Sequence, residues 1–260
     1  MNLGYLGFGQ MGSAIARGLA DHCPEVQSGA VRQYAWAPHA DKLRERAAAC
    51  SVHACESADE LVNACDTIVL ACKPYQVEDA VRGLDFSGKA VVSIVNTWGF
   101  ADLKRVLGDG ARVQCIMPNT PMKVGKGTVL LAEENDLTSA EREHIRALLG
   151  SVAAIVELPE AKIPAASAIC GCGPAFLYMV IEALGDAGVK NGLSRRAAYE
   201  LAASTLVGAG EMVLRDPSAH PGALKDAVCS PGGTTIRGVA ALEEAGMRSA
   251  FIKAVDATLS

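Results

Sequence analysis

A short segment near the C-terminal end of the sequence combines small, flexible and hydrogen-bonding residues. It reads CSPGGTT over residues 229–235 and lies between two segments with a helical pattern. The glycine pair frees backbone N–H groups to converge, and Thr234 or Thr235 then begins a helix, whose N-terminus favours an anion. Because the segment carries no charged residue, it would hold an acid group through dipoles and hydroxyl hydrogen bonds. An N-capped helix entry behind a flexible turn is the alternative interpretation.

The N-terminal end of the chain carries the glycine spacing of a dinucleotide-binding turn. Gly7-x-Gly9-x-x-Gly12 follows a hydrophobic strand pattern directly and opens a helical one. The first glycine makes the bend, the second lets the backbone approach a pyrophosphate, and the third allows close packing of helix on strand. A glycine-rich turn without a ligand is the alternative. The predicted cofactor-binding residues of this turn are Gly7, Phe8, Gly9, Gln10, Met11 and Gly12.

The loop after the second predicted strand bears on the choice of dinucleotide. An NAD enzyme usually has an acid at this point, for the ribose hydroxyls, and an NADP enzyme often has an arginine. This chain has Ala37-Pro38-His39-Ala40 instead. The lack of an acid favours NADPH, with NADH still possible. His39 would meet a phosphate or simply remain solvated.

Two further strands end in residues that suit a cofactor site. The run TIVLACKP ends in Lys73-Pro74, and strand C-termini border the ligand crevice in sheets of this kind. A later strand ends in a loop in which two prolines bracket Asn119 and Thr120, which predicts a rigid polar wall at the same edge. An ordinary surface lysine and plain turn chemistry are the alternatives. The predicted cofactor-binding residues here are Ala71, Cys72, Lys73, Pro74 and Asn119.

These residues are placed by an alternation of strand and helix patterns that stops near residue 158. Seven short β-branched runs alternate with helical patterns before that point, and only Ala-, Leu- and Gly-rich helical patterns follow it. The pattern predicts an α/β N-terminal domain of Rossmann type, with a mostly parallel, doubly wound sheet, over residues 1–160. Residues 161–260 are predicted to form an all-α dimerisation domain, because helices rich in small residues bury little area without a second subunit.

Composition excludes several functional classes. The 260-residue chain has a formal net charge of −5 and no basic run, which argues against a nucleic-acid surface. The most apolar stretch, PAFLYMVIEAL, is interrupted by Glu182 and is too short to span a bilayer. The nine cysteines include no Cys-x-x-Cys pair, which indicates reduced thiols in a cytoplasmic protein. No metal site is expected, including at Cys170-x-Cys172, since structural zinc takes about four ligands.

Taken in order along the chain, the motifs resemble those of the pyrroline-5-carboxylate reductase family. The matching pieces are the turn at residues 7–12, Lys73-Pro74, MPNTP at 117–121, Gly171-x-Gly173-Pro174-Ala175 and SPGGTT at 230–235. The resemblance implies reduction of the cyclic imine 1-pyrroline-5-carboxylate to L-proline by NAD(P)H, the last step of proline biosynthesis. It also implies an intertwined homodimer, in some members assembled into a larger ring of dimers.

The resemblance assigns roles within the C-terminal segment. The substrate carboxylate is expected to be held by Ser230, Gly232, Gly233, Thr234 and Thr235, partly through backbone N–H groups. The Thr235 hydroxyl is expected near the imine nitrogen, which makes Thr235 the predicted catalytic residue. Reduction of a protonated imine needs little acid–base chemistry from the protein, whereas a ketone reductase needs a proton donor for the alkoxide.

Several positions depart from the family pattern and leave the substrate open. Two serines and a tyrosine of the family are Cys170, Cys172 and Phe176 here, and a common Ala-Gly pair is Asn96-Thr97. A thiol is similar in size to a hydroxyl but is a weaker donor. A reductase for a different small imine or 2-oxo acid therefore remains an alternative, and so does a non-catalytic dinucleotide-binding paralogue.

Overall fold

The computed structural model describes residues 1–259, which divide into two compact units. The first comprises Met1–Gly171, and the second comprises the described residues from Cys172 onwards. This division falls eleven residues beyond the boundary predicted from the sequence, because one further helix belongs with the first unit.

An eight-stranded sheet forms the centre of the first unit. The strand order is β3-β2-β1-β4-β5-β6-β7-β8; β6 and β7 are antiparallel, and the other neighbouring strands are parallel. This arrangement confirms the predicted α/β class with a mostly parallel sheet. The strands are β1 Asn2–Leu6, β2 Arg32–Trp36, β3 His53–Ala54, β4 Thr67–Leu70, β5 Ala90–Ser93, β6 Arg112–Pro118, β7 Gly127–Asn135 and β8 Ala153–Leu158.

Helices cover both faces of this sheet. They are α1 Gln10–His22, α2 Pro24–Gln27, α3 Ala40–Ala49, α4 Ala58–Ala64, α5 Val77–Val81, α6 Phe100–Leu107, α7 Ser139–Gly150 and α8 Ile163–Cys170. Successive strand residues contact opposite layers: Leu3 and Tyr5 pack with α1 and α7, whereas Leu6 packs with α4 and α6. The alternation of side chains across a strand therefore produces two apolar cores, one on each face.

Five of these elements are absent from the sequence-based prediction. β3 has only two residues, and α2, α4 and α5 have four, seven and five, so none is long enough to show a clear period. The fifth, α8, consists almost entirely of small apolar residues and shows no polar face. Only tertiary packing distinguishes it from the segments on either side.

The second unit contains only helices among its described residues. They are α9 Gly173–Lys190, α10 Arg195–Arg215, α11 Pro221–Ala227, α12 Thr234–Glu244 and α13 Met247–Asp256. Helices α9 and α10 pack closely because Gly185 leaves room for the Tyr199 ring and Gly188 leaves room for Ala198. A Cβ atom at Gly185 would lie 2.4 Å from that ring.

Large apolar side chains are exposed along these helices. Those with the greatest exposure include Met179, Leu201, Val207, Leu214 and Ile252. Residues Glu160–Lys190 are long and apolar enough, judged by length and composition alone, to cross a membrane, and 11% of the most apolar window is buried. This surface is apolar enough to require cover from another molecule.

Candidate functional site

The turn between β1 and α1 depends on the first glycine of the motif. Gly7 has φ +95°, and a Cβ atom there would lie 2.7 Å from the Ala71 carbonyl carbon and 2.8 Å from the Cys72 nitrogen. The Gly7 N–H donates to the Trp36 carbonyl at 2.9 Å, and the Ala71 N–H donates to the Leu6 carbonyl at 2.8 Å. The ends of β1, β2 and β4 are thus held together at one edge of the sheet, where only glycine fits at position 7.

The second glycine of the motif leaves open space at the start of α1. Gly9 is the N-cap residue; no side chain caps the helix, and a Cβ atom at Gly9 would have no heavy atom within 4 Å. Gly12 lies closer in, where a Cβ atom would be 3.0 Å from the Gly7 carbonyl oxygen. An uncapped helix N-terminus beside an unobstructed glycine fits a phosphate group.

A cavity of about 430 Å³ opens at this edge of the sheet. Six of the predicted cofactor residues line it: Gly7, Phe8, Gly9, Ala71, Cys72 and Lys73. The other five predicted residues, Gln10, Met11, Gly12, Pro74 and Asn119, do not line it. Trp36 and the loop at 37–39 also line the cavity, so the residues that bear on the choice between NAD and NADP lie beside the glycine turn.

Basic side chains collect at the β2 end of this cavity. His39, Lys42 and Arg46 line it, and the Arg46 guanidinium donates to the Phe8 carbonyl oxygen at 3.0 Å. Asp79 also lines the cavity and supplies an acid there. Lys42 and Arg46 are not among the residues predicted from the sequence, although their four-residue spacing places both on one face of α3.

The segment after β4 is fixed by contacts on both sides. Burial raises the pKa of the Cys72 thiol to about 11, so Cys72 brings no negative charge to the cavity at neutral pH. Pro74 begins a short 3-10 helix, Pro74–Gln76, and its carbonyl accepts a hydrogen bond from the Trp98 indole at 3.1 Å. The Lys73 side chain is exposed beside this rigid exit.

Asn119 is buried, and its side chain serves the fold. The amide oxygen accepts from the Thr128 N–H at 2.7 Å, and the amide nitrogen donates to the Cys170 carbonyl at 2.9 Å. The side chain therefore joins the end of β6 to the start of β7 and to the end of α8. Its predicted contact with the cofactor remains a prediction, with one amide N–H left for it.

The loop after β5 holds a residue with an unusual backbone. Thr97 has φ +69°, a region that β-branched residues rarely occupy. The Asn96 amide oxygen accepts the Thr97 N–H at 3.0 Å, and Trp98 ties the same loop to Pro74. The resemblance places the glycine of a common Ala-Gly pair at this position, so the loop keeps a glycine-like conformation with threonine in its place.

In the second unit, the segment at 230–235 forms the predicted turn into a helix. Gly232 has φ +66°, and a Cβ atom at Gly233 would lie 2.3 Å from the Ser230 hydroxyl oxygen. The Gly233 N–H donates to the Ser230 carbonyl at 3.0 Å, and α12 begins at Thr234. Gly233 is the N-cap residue and no side chain caps α12, so the hydroxyls of Thr234 and Thr235 lie on an open first turn.

Comparison with known proteins identifies the family. A family model for pyrroline-5-carboxylate reductase dimerisation matches residues 160–260, and a model for coenzyme F420-dependent NADP oxidoreductase matches residues 2–97. A pyrroline-5-carboxylate reductase of Treponema pallidum is 40% identical over 265 residues, which cover 100% of this chain and 99% of the relative. The chain belongs to the pyrroline-5-carboxylate reductase family. The match to a dimerisation region indicates that it is a homo-oligomer.

Solved structures of this family share the fold along the whole chain. The pyrroline carboxylate reductase of Plasmodium falciparum, crystallised with NADP bound, superimposes with a TM-score of 0.86 at 32% identity, covering 100% of this chain and 95% of the other. The enzyme from Streptococcus pyogenes gives 0.85 at 27% identity, covering 100% and 96%. The predicted fold class, including the helical C-terminal region, is confirmed.

Proposed function

We propose that the chain reduces 1-pyrroline-5-carboxylate to L-proline with NADPH as the hydride donor. The observation that carries the proposal is the open space at Gly9, where the uncapped start of α1 meets a cavity of about 430 Å³; we call this the cofactor cradle. It occurs in a chain that is similar over its full length to pyrroline-5-carboxylate reductases. This cradle fits a dinucleotide pyrophosphate.

Basic residues near the cradle support NADPH over NADH. His39, Lys42 and Arg46 line the cavity, and residues 37–40 contain no acid that would hold free ribose hydroxyls. Guanidinium and ammonium groups suit a phosphate oxygen. NADH stays possible as a weaker donor, because the turn at Gly7 and Gly9 serves both dinucleotides.

Residues 230–235 would hold the substrate. The turn offers N–H groups at the start of α12 and the hydroxyls of Ser230, Thr234 and Thr235, all suited to a carboxylate. The Thr235 hydroxyl would hydrogen-bond the ring nitrogen and orient the imine. NADPH supplies the hydride to the imine carbon, and a substrate protonated beforehand becomes the neutral secondary amine without a further proton.

The same proposal covers assembly and location. The apolar faces of α9 and α10 would pack against a second copy in a homodimer, over the region 161–260 that we keep as the dimerisation and substrate-binding domain. The start of the matched dimerisation region at residue 160 supports that boundary. Assembly of these dimers into a larger ring is also part of the proposal. We place the enzyme in the cytoplasm, because none of its nine cysteines, all of which lie among the described residues, forms a disulfide.

The test is an assay of the purified chain with racemic pyrroline-5-carboxylate, run in parallel with NADPH and NADH. The expected result is loss of reduced-nicotinamide absorbance, formation of proline and a higher kcat/KM with NADPH. A carboxylate-free pyrroline serves as the matched substrate control and should react poorly. Tight NADPH binding without turnover would contradict the proposal and favour a paralogue that only binds dinucleotide. Turnover of another imine or 2-oxo acid instead would favour the related reductase.

A further inference from the structure

Three potential metal ligands of different types lie together at the outer edge of the sheet. His53 begins β3, Cys55 follows it directly, and Glu60 lies in the first turn of α4. One ligand atom from each, an imidazole nitrogen, a thiol sulfur and a carboxylate oxygen, lies within 4.8 Å of the other two. His53 and Cys55 are two residues apart on an extended chain, so they project to the same side.

Contacts outside the cluster already orient two of the three side chains. The His53 ring stands edge-on to Tyr34, with ring centroids 5.4 Å apart. The Glu56 N–H donates to one Glu60 carboxylate oxygen at 2.7 Å, which leaves the other oxygen 3.9 Å from the His53 Nε2 atom. Held in this way, the two exposed side chains give up less conformational freedom when they bind a third group.

Cys55 brings a buried sulfur to the cluster. Its side chain is 4% exposed, and among residues 1–259 its sulfur makes no hydrogen bond. The Cys55 N–H donates to the Ala35 carbonyl at 2.9 Å, so the backbone at this position is fixed against β2. A fixed, unpartnered thiol therefore faces an imidazole and a carboxylate.

We propose that His53, Cys55 and Glu60 bind a thiophilic divalent cation, with Zn²⁺ as the best match. Zinc takes sulfur at about 2.3 Å and nitrogen or oxygen at about 2.0–2.2 Å, so ligand atoms around it stand between 3 and 4 Å apart. His53 and Glu60 already stand 3.9 Å apart, and rotation of these two exposed side chains would close the remaining distance to the Cys55 sulfur. Cys55 binds as the thiolate, with its proton released to solvent, and water takes the fourth position.

The donor set favours zinc over the common hard cations. Thiolate and imidazole ligands select Zn²⁺, whereas Mg²⁺ and Ca²⁺ prefer sites built from oxygen alone. One thiolate and one carboxylate also balance the charge of a divalent ion. The competing explanation is a core cysteine beside a surface histidine–glutamate pair, since Cys55 also belongs to the apolar cluster that contains Leu61 and Cys65.

The experiment titrates the metal-free full chain with Zn²⁺ by calorimetry, and with Co²⁺ by absorption spectroscopy. The expected result is one ion per chain, a thiolate-to-cobalt charge-transfer band and a melting temperature that rises with Zn²⁺. Cys55→Ala should abolish the band, and His53→Ala and Glu60→Gln should each weaken binding by at least about tenfold. Glu56→Gln, an exposed neighbour outside the cluster, is the matched control and should bind normally.

The outcomes separate the two explanations. Absence of stoichiometric binding would overturn the proposal, and so would a charge-transfer band that survives in Cys55→Ala, because one of the other eight cysteines would then be the ligand. If Cys55→Ala fails to fold, the exposed His53→Ala and Glu60→Gln variants decide. Binding that is unchanged in both would overturn the site.

Discussion

The two units of this chain bury their apolar residues to very different extents. In Met1–Gly171, two clusters of aliphatic and aromatic side chains fill both faces of the sheet, with Tyr5, Leu6 and Ile15 fully buried. Among the described residues of the second unit, the buried hydrophobic residues are the alanines Ala198 and Ala202, while most of the exposed large hydrophobics of the described chain lie there. The first unit has a complete core, and the second requires one from association.

This difference assigns separate physical tasks to the two halves of the proposed enzyme. The cofactor cradle rests on strand ends whose packing needs no partner, so NADPH binding should survive in a monomer. The substrate turn at 230–235 belongs to helices that expose apolar faces, so substrate binding should depend on the assembled homo-oligomer.

The largest effect is expected from a charge on the exposed face of α10. Val207 is 70% exposed in the single chain, and Val207→Asp would place a carboxylate in the proposed interface. Burying an unpaired charge is costly, so the dimer Kd should rise by at least about a hundredfold, equivalent to about 2.7 kcal/mol. Light scattering would report monomers, kcat would fall with them, and NADPH binding would persist.

Val124→Asp is the matched control for this variant. Val124 is 62% exposed but belongs to the first unit, outside the residues that match the dimerisation model. This variant should remain dimeric and active. If Val207→Asp were still dimeric and active, α10 would be exposed in the active enzyme. That result would contradict the claim that the second unit completes its core by association.

A smaller effect is expected at the cofactor cradle, where two glycines give different results. In Gly9→Ala, the new methyl meets no protein atom, so the melting temperature should hold while the NADPH Kd rises by about ten- to a hundredfold. In Gly7→Ala, positive φ and the contact at 2.7 Å should lower both stability and binding. Calorimetric titration and thermal unfolding measure the two effects. Unchanged affinity in Gly9→Ala would mean that the pyrophosphate does not approach there.

Much of the first unit could be predicted from the sequence because its strands are apolar runs with turn signals between them. β1, β4 and β5 are of this kind, and the glycine spacing identified the turn that only glycine can make. The antiparallel pairing of β6 with β7 could not be predicted, since an apolar run carries no signal of strand direction. The two-residue β3 is too short to show alternation.

Residues of the candidate site could be predicted where the local backbone conformation determines the residue type. They could not be predicted where side chains that are distant in sequence come together in the fold. Gly7 and Gly232 follow from the positive φ angles that their turns require, and Gly9 follows from the spacing of the glycine motif. Lys42 and Arg46 reach the cavity only because α3 packs beside the end of β1, a tertiary fact. Asn119 was assigned to the cofactor from its loop, but its hydrogen bonds to Thr128 and Cys170 depend on strands and a helix that lie later in the chain.

A moderate, cofactor-specific effect is expected from the cations of α3. Lys42→Ala and Arg46→Ala should each raise the KM for NADPH by about tenfold, through loss of a charge-assisted hydrogen bond, and leave the KM for NADH nearly unchanged. Arg44→Ala is the control, since Arg44 lies on the same helix, is exposed and does not line the cavity. Equal effects on both cofactors would show that these cations do not read the 2′-phosphate.

The smallest effect is expected from a partly buried ion pair of the first unit, between Arg112 and Glu141. Hydrogen bonds from Arg112, at 2.8 Å from Nε, lower the pKa of the Glu141 carboxyl from 4.5 to about 2. A lowered folded-state pKa gives stability that is present above pH 4.5 and lost as the pH falls towards 2. Because both side chains keep some solvent contact, we expect about 1–2 kcal/mol.

Denaturant unfolding of Glu141→Gln at neutral and acid pH measures the contribution of this ion pair to the free energy of unfolding. The variant should lose stability at neutral pH and depend less on pH between 5 and 2, while glutamine preserves the capping box with Thr138. In the second unit, Glu243→Gln removes the exposed pair with Arg248 and should change little. Equal pH profiles for Glu141→Gln and the parent would contradict the assignment.

The most direct test of the separate roles of the two units compares kcat/KM for Thr235→Ala with kcat/KM for Thr235→Ser. The affinity for NADPH is measured on the same preparations. If residues 230–235 hold the imine and the first unit holds the cofactor, Thr235→Ala should lose about tenfold to a thousandfold in kcat/KM for pyrroline-5-carboxylate. Thr235→Ser should recover most of it, and the NADPH Kd should be unchanged in both. Near-normal kcat/KM in Thr235→Ala would contradict the account.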